Sequence, residues 1–403
     1  MAILSKYKPT RFNGFVEFEI SNIYHRSFGY AKISGNFPRL KPLNGRGEIH
    51  PKILTTLINK FTEQVQKCGI NSDSFDRIGN IESVVEVADQ FSLFWNPGLD
   101  WDSTGIEFYV WFLIFSWIFD DAFQEGWYLG HRMTRRDMAG IIEHIQNTYL
   151  RIMRMQKIKK SITAMILPPN FDAICNVLKR MVQAGFNLYG NEYAERIEPF
   201  VLAFHDNFES ADVINFNPVD DRLCLRPYNF WKQYNAGTST CVEGILFVSG
   251  TRVPALVRDH PIFKRILTLI DSNVQWTEDI FGCRKDFQFR GGNTDNEFVF
   301  RTLERKKSLN DVVIEVCQEV GNELRELIVM KEALIHIFGE DDDHLLDFLN
   351  LIDTLIDGQF LVYAMNPRFR FDCGLVRLSR ELGSEMLSFS AGKDGLDKNN
   401  NKI

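Results

Sequence analysis

The stretch Phe108–Phe119 reads FYVWFLIFSWIF, and residues 120–126, read DDAFQEG, follow it at once. Twelve residues without a charge are too few to span a bilayer, which needs roughly 18 or more, so the run predicts a helix buried in protein. Asp120, Asp121 and Glu125 then lie where the helix dipole and their mutual repulsion both disfavour carboxylates. They are either a solvated acidic helix end or ligands of Mg²⁺, which would relieve both penalties.

The composition around this run is that of a globular protein. The chain has 403 residues, of which 45% are hydrophobic, and 46 Lys and Arg against 53 Asp and Glu give a net charge of −7. This much apolar side chain excludes a disordered chain, and the acidic balance provides no general attraction for nucleic acid. Aromatic residues reach 13%, with 34 Phe, so the chain has either a bulky core or a cavity lined with rings.

Cysteine usage and the first residues bear on location. Seven Cys are scattered singly without a CxxC pair, which favours reduced thiols in a reducing compartment. The start, MAILSKYKPTRF, contains no apolar leader segment. We therefore expect a cytoplasmic protein without a membrane span.

Most of the chain shows helical periodicity. Apolar residues recur at spacings of three and four from Ile53 to Ile352, which predicts one large, mostly α domain. We divide the chain into an N-terminal extension or capping segment at residues 1–50, the helical domain at 51–387, and a disordered polar tail at 388–403.

A second carboxylate cluster lies further along the chain. Glu278, Gly282 and Asp286 follow one another at intervals of four residues, so on a helix they share one face and present two carboxylates with a gap between them. Taken alone, the cluster is either an exposed charged turn or part of a metal site.

In this order and spacing, these residues resemble the class I terpene synthases of the single α-domain type. Asp120-Asp121-x-x-x-Glu125 resembles the family's aspartate-rich metal motif, including the aromatic helix before it. The segment Glu278–Asp286 is similar to the second metal motif, Asn/Asp-Asp-x-x-Ser/Thr-x-x-x-Glu. Asn296 and the helix start at Ser308 follow as in the family.

Two further landmarks agree with the family. Lys232 lies 46 residues before Glu278, within the pattern Tyr228-x-x-x-Lys232 that is similar to the family's Tyr-x-x-x-Arg diphosphate sensor. Arg368 follows Gly358 by ten residues, as the family's Arg-Tyr pair does. The resemblance covers roughly residues 50–385.

Several positions depart from the family pattern. Lys232 replaces an Arg and loses its bidentate fork, although Arg226 could substitute. Gly282 lacks the hydroxyl ligand, so a water molecule would complete the coordination there. Glu278 is one methylene longer than the family residue and Asp286 one shorter, while Phe369 lacks the Tyr hydroxyl.

The resemblance implies an all-α bundle around a central apolar cavity. It implies Mg²⁺-dependent ionisation and cyclisation of farnesyl or geranylgeranyl diphosphate with release of diphosphate.

Three Mg²⁺ ions, with Mn²⁺ as a substitute, would be held by Asp120, Asp121, Glu125, Glu278, Gly282 and Asp286. Diphosphate would contact Lys232, Arg226, Arg368 and Lys285. The cavity wall and cation-stabilising set would include Phe112, Phe115, Trp117, Phe119, Trp231, Asn235, Ala236, Trp276 and Phe369, with Phe94 and Trp95 as weaker candidates. The partner is then a small-molecule prenyl diphosphate, and a homodimer is compatible with the family.

Three alternatives stay open. A chain-elongating prenyltransferase would share the fold but normally has a second Asp-rich motif. A helical metal-dependent phosphohydrolase would use an acid–His pair such as His205-Asp206 or Asp259-His260, although no further ligands follow at a persuasive spacing. A non-catalytic relative would explain the altered motifs but not the preserved spacings.

Overall fold

The computed structural model describes a helical protein. The described residues are 15–25, 28–40, 49–70, 81–119, 135–157, 171–211, 237–289, 298, 301–302, 305–339, 343–366, 377–380 and 387–388. Everything below refers to these residues.

Eleven labelled helices make up most of this part of the chain. They are α1 (Pro51–Lys67), α2 (Ile81–Trp95), α3 (Thr104–Phe119), α4 (Arg135–Met153), α5 (Phe171–Tyr189), α6 (Tyr193–Ala211), α7 (Thr238–Ser249), α8 (Ala255–Arg258), α9 (Pro261–Phe289), α10 (Leu309–Phe338) and α11 (Asp343–Met365).

Local sequence explains where the helices start. Pro51 opens α1, where a missing N–H costs nothing, and the His50 imidazole accepts a hydrogen bond from the Lys52 N–H. Ser308 caps α10, because its hydroxyl accepts from the Asp311 N–H. The helix start expected at Ser308-Leu309 is confirmed.

The helix predicted over 108–119 is the centre of the bundle. Nearly every side chain of α3 is buried, and α3 packs against α2, α5 and α7. A helix that is apolar all round must be enclosed by others, which the bundle achieves. The expected all-α bundle is confirmed.

A small antiparallel sheet adds to the bundle at residues that the sequence analysis assigned to the N-terminal extension, to the end of the helical domain and to the first residue of the polar tail. Its strands are β1 (Phe15–His25), β2 (Gly29–Pro38), β3 (Arg377–Arg380) and β4 (Leu387–Ser388), in the order β2-β1-β3-β4. β1 and β2 form a hairpin, and Val16 of β1 pairs with Arg380 of β3.

The hairpin packs on the outer side of two long helices. β2 lies along α10 and β1 along α9. Phe18 and Phe37 place their rings 5.5 and 5.7 Å from the ring of Phe281 on α9, and the His25 ring lies 5.3 Å from that of Phe287. The hairpin is therefore part of the same packed core as the helices.

Among the described helices, none combines the length and the apolar character that crossing a membrane requires.

Candidate active site

The second carboxylate cluster lies on α9, and its helical conformation is confirmed. At about 100° per residue, Glu278, Gly282 and Asp286 lie within about 80° of one another around the axis. The side chain of Glu278 is partly exposed, and Gly282 is buried. The side chains of Asp286 and Lys285 lie outside the described residues. Carboxylate oxygen is a donor that Mg²⁺ prefers, so this face of α9 fits a metal-binding role.

The first carboxylate cluster lies outside the described residues. α3 ends at Phe119, the residue before Asp120. The same holds for the other expected ligand and diphosphate positions Asp121, Glu125, Arg226, Lys232 and Arg368, and for the cavity candidates Trp231, Asn235, Ala236 and Phe369. Their roles stay predictions.

The three Phe candidates of α3 pack on one side of the helix. Phe112 contacts the ring of Phe200 on α6 at 4.9 Å. Phe115 and Phe119 both contact the ring of Tyr149 on α4, at 5.1 and 5.9 Å. All three Phe side chains are buried. The structure thus brings them together as one aromatic cluster between α3, α4 and α6.

Trp117, near the end of α3, has different neighbours from the three Phe residues. Its indole is only partly buried and stacks on Phe91 of α2 at 6.3 Å. Phe91 also contacts Trp95 at 4.5 Å and Tyr363 of α11 at 5.7 Å. Sequence analysis did not single out Phe91 or Tyr363, because an aromatic residue on a buried helix face carries no signal of its own.

Trp276 lies on the side of α9 away from Glu278. The two residues are two positions apart, which is about 200° around a helix. The Trp276 ring lies beneath the Arg301 guanidinium at 4.7 Å and stacks on Phe298 at 6.5 Å. We therefore leave Trp276 out of the cavity wall proposed below.

A partly buried acid that sequence analysis missed, Asp271, lies on the same side of α9 as Glu278. Burial raises the pKa of Asp271 to about 8, although the nearby Thr238 hydroxyl acts in the opposite direction. Thr238 begins α7 after Gly237, whose φ of 67° is the left-handed conformation that glycine adopts without strain. An isolated Asp inside a helical pattern gives no hint of this environment.

The structure describes the surroundings of both acid–His pairs that the phosphohydrolase alternative would use. His205 and Asp206 lie 3.5 Å apart with their side chains 36% and 75% exposed. His260 accepts a hydrogen bond from the Ile262 N–H at the start of α9, and its ring packs on Phe338. No group of three or more His, Cys, Asp or Glu within the described part of the chain could hold a metal ion.

Comparison with solved structures places this bundle among terpene synthases. A variant of cucumene synthase superposes with a TM-score of 0.61 at 12% identity, covering 82% of this chain and 100% of that one. The linalool/nerolidol synthase of Streptomyces clavuligerus gives a TM-score of 0.57 at 11% identity, with 79% and 98% covered. Hedycaryol synthase gives 0.56 at 11% identity, with 80% and 97% covered. At 11–12% sequence identity, the structural similarity to these three proteins establishes the fold.

Sequence comparison supplies the family. No curated protein matches the chain in sequence. The family model of the terpene synthase family 2 C-terminal metal-binding domain matches residues 112–326, more than half of the chain. The matched segment includes both carboxylate clusters and the sensor position Lys232. The chain therefore belongs to the terpene synthase family 2, and it is a terpene synthase with the class I fold.

Proposed function

We propose that this terpene synthase ionises a linear prenyl diphosphate, farnesyl or geranylgeranyl diphosphate, and cyclises it to a sesquiterpene or diterpene with release of diphosphate. The observation that carries the proposal is the placement of Glu278, Gly282 and Asp286 on one face of α9, in a chain whose family model is a metal-binding domain. In this proposal Asp120, Asp121 and Glu125 hold metal from the opposite side.

Three Mg²⁺ ions would supply positive charge to the departing diphosphate. Lys232, Arg226 and Arg368 would bind the diphosphate oxygens as point charges or forks, and Lys285 would add a weaker contact. Together these ions and side chains would orient the leaving group and take up the negative charge that develops on it. The weakened second motif predicts a higher Mg²⁺ requirement than the intact motif would give.

The allyl cation left behind must be kept away from water, and aromatic faces stabilise it without attacking it. The wall we propose contains Trp117 and Phe91 together with Tyr363, which lie in one contact cluster near the end of α3. Phe112, Phe115 and Phe119 form the neighbouring cluster, and Trp231, Asn235, Ala236 and Phe369 stay in the proposal from the sequence alone.

The deciding experiment is incubation with Mg²⁺ and each of the C10, C15, C20 and C25 prenyl diphosphates, followed by hydrocarbon analysis and a diphosphate assay. We expect a cyclic product from the C15 or the C20 substrate. The Asp120→Ala variant should lose product formation, while Asp100→Ala, which removes an exposed carboxylate, should keep it. Absence of product from every substrate would favour the non-catalytic alternative. Unchanged activity of Asp120→Ala would overturn the metal assignment.

The remaining expectations are also proposals. We propose a cytoplasmic enzyme, active as a homodimer, with an extension at residues 1–50, a catalytic domain at 51–387 and a tail at 388–403. Light scattering on the purified protein distinguishes dimer from monomer.

A further inference from the structure

A cavity of about 220 Å³ lies between α6, α7 and the segment that follows α7. Part of its lining is apolar, because Leu246 and Phe247 of α7 and Val253 contribute buried side chains to it. The rest of the lining is mostly charged. Pockets for drug-sized ligands run to about 300–1,000 Å³, so this cavity fits a more compact molecule with both an apolar and a charged part.

The cavity lies at the other end of the bundle from the proposed metal-binding residues. α7 contributes residues near its end, and there Val248 packs against Gly105 at the start of α3. Phe119, the last residue of α3, is 14 residues beyond Gly105, which is about 21 Å at a rise of about 1.5 Å per residue. A molecule in this cavity is therefore separate from a substrate bound beyond Phe119.

Three guanidinium groups and two carboxylates line the cavity. The guanidinium of Arg258 donates from Nη1 and Nη2 to the two carboxylate oxygens of Glu243, and from Nε to the Val253 carbonyl. Both oxygens of Glu243 are thus engaged by one cation, and this pair is neutral as a unit. The charge that a ligand meets belongs chiefly to the other two guanidinium groups, those of Arg196 and Arg252.

The acidic partners of Arg196 and Arg252 are exposed and can be replaced. Glu192 lies 2.8 Å from Arg196 and 3.7 Å from Arg252, and Glu195 lies 3.3 Å from Arg252. The side chains of Glu192 and Glu195 are 60% and 76% exposed. Exposed ion pairs contribute about 1 kcal/mol or less, so an anion can displace these carboxylates at little cost. Arg196 keeps its position meanwhile, because its guanidinium lies 4.4 Å above the ring of Tyr189.

We propose that this cavity is a second ligand site, which binds a compact organic anion with a carboxylate or phosphate head group and an apolar body. The head group accepts hydrogen bonds from Arg196 and Arg252, because the planar guanidinium fork matches carboxylate and phosphate oxygens. The apolar body lies against Leu246 and Phe247 and is removed from water there. The site does not depend on the proposed function, because it lies at the other end of the bundle.

The test is calorimetric titration of the full-length protein with benzoate and with phenyl phosphate, two anions that share an apolar ring. The buffer contains EDTA and no Mg²⁺, so that a metal-dependent diphosphate site does not compete. We expect binding to one site per chain, and the tighter of the two anions identifies the head group. Inorganic phosphate, which has no apolar body, should bind about tenfold more weakly than phenyl phosphate.

Variants locate the binding in the cavity. Arg252→Ala removes one of the two available guanidinium groups and should weaken binding by about tenfold. Arg265→Ala is the matched control, because Arg265 also pairs with a glutamate and is similarly exposed but does not line the cavity. It should change the affinity by about twofold or less. Pro199→Trp keeps every charge and should also weaken binding, since Pro199 lines the cavity from an exposed position on α6.

Thermal unfolding of each variant checks that the bundle is intact, and if Arg252→Ala does not fold, Arg252→Gln takes its place. Failure of both organic anions to bind the wild type overturns the proposal. So does wild-type affinity in a folded variant of Arg252 or Pro199, or equal affinity for inorganic phosphate and phenyl phosphate. None of these measurements needs a prenyl diphosphate, so their failure leaves the proposed function untouched.

Discussion

The guanidinium of Arg39, just after β2, lies 3.1 Å from the carboxylate of Asp357 on α11, and both side chains are 5% exposed or less. The guanidinium also lies 4.2 Å above the ring of Phe360. Two of its nitrogens, Nε and Nη1, have no hydrogen-bond partner among the described residues. The hairpin is therefore fastened to the bundle by a buried charge that depends on Asp357.

Asp357→Ala should destabilise the protein strongly, because it leaves an uncompensated buried guanidinium. We expect a loss of about 3–5 kcal/mol in the free energy of unfolding, measured by urea denaturation. Glu326→Gln is the matched control, since it breaks the Arg265–Glu326 pair, whose side chains are 45% and 37% exposed, and should cost about 1 kcal/mol or less. Equal losses in the two variants would show that the Arg39 contact does not hold the hairpin.

The environment of Asp89 on α2 predicts that the free energy of unfolding decreases as pH rises. Its side chain is fully buried, and within the described part of the chain neither carboxyl oxygen has a hydrogen-bond partner. Burial raises its pKa well above the usual range despite the charge of Lys60. The unfolded chain releases this proton from about pH 4 upward, whereas the folded protein retains it. Stability therefore falls as pH rises from about 4 through the raised pKa.

Asp89→Asn removes this loss. Its free energy of unfolding should equal that of the wild type near pH 4 and exceed it by about 1 kcal/mol or more at pH 7. Urea titrations at several pH values measure the difference. Asp100→Asn, at an exposed position, should show no such trend. A difference between Asp89→Asn and the wild type that shrinks as pH rises would contradict the assignment.

Phe281 connects the hairpin to the helix that carries the second motif. Its ring lies 5.5 Å from Phe18 and 5.4 Å from Phe360, and Gly282 is the next residue. Phe281→Ala should cost about 3–5 kcal/mol of stability and should raise the Mg²⁺ concentration needed for half-maximal activity, because α9 loses its support there.

Phe263→Ala provides the comparison for that variant. Phe263 is equally buried and lies near the start of α9, with its ring 4.9 Å from that of Phe348. It should reduce stability by a similar amount but leave the Mg²⁺ requirement unchanged. If both variants raise the Mg²⁺ requirement equally, the effect comes from the general loss of stability and not from the contact between the hairpin and the second motif.

Gly282→Ser restores the hydroxyl that the family places in its second metal motif. Since Gly282 shares the face of Glu278, the new oxygen should serve as a metal ligand and lower the Mg²⁺ concentration for half-maximal activity by several-fold. Gly98→Ser, at an exposed turn with open space around it, should have no effect. A folded Gly282→Ser variant without activity would show that the metal ions are held in another way.

Sequence alone could predict the helices and the proposed metal face, because both depend on periodicity along a single segment. The uncharged run of α3 and the four-residue spacing from Glu278 to Asp286 are properties of this kind. Helical geometry also places Trp276 opposite Glu278, and the two-residue spacing alone is enough to predict this.

The sheet and the environment of Asp271 depend on contacts between distant segments. The partners of β1 include Arg380, which nothing near Val16 indicates. Asp271 looks like a surface residue of an amphipathic helix until the start of α7 encloses it. Burial of a polar side chain is decided by its neighbours in space, and these are not encoded by local spacing.

The pairing of Val16 with Arg380 joins positions that are 364 residues apart. At about 5–20 residues per second on the ribosome, the first strand waits between about 20 and 70 s for this partner. During that time Phe18 and Phe37 cannot be buried, because α9 and α10, the helices on which the hairpin packs, are also synthesised late. The order of synthesis thus leaves an apolar hairpin exposed while the bundle forms. Pairing of β1 with β3 is then among the last folding steps, and it covers a strand edge that could otherwise aggregate.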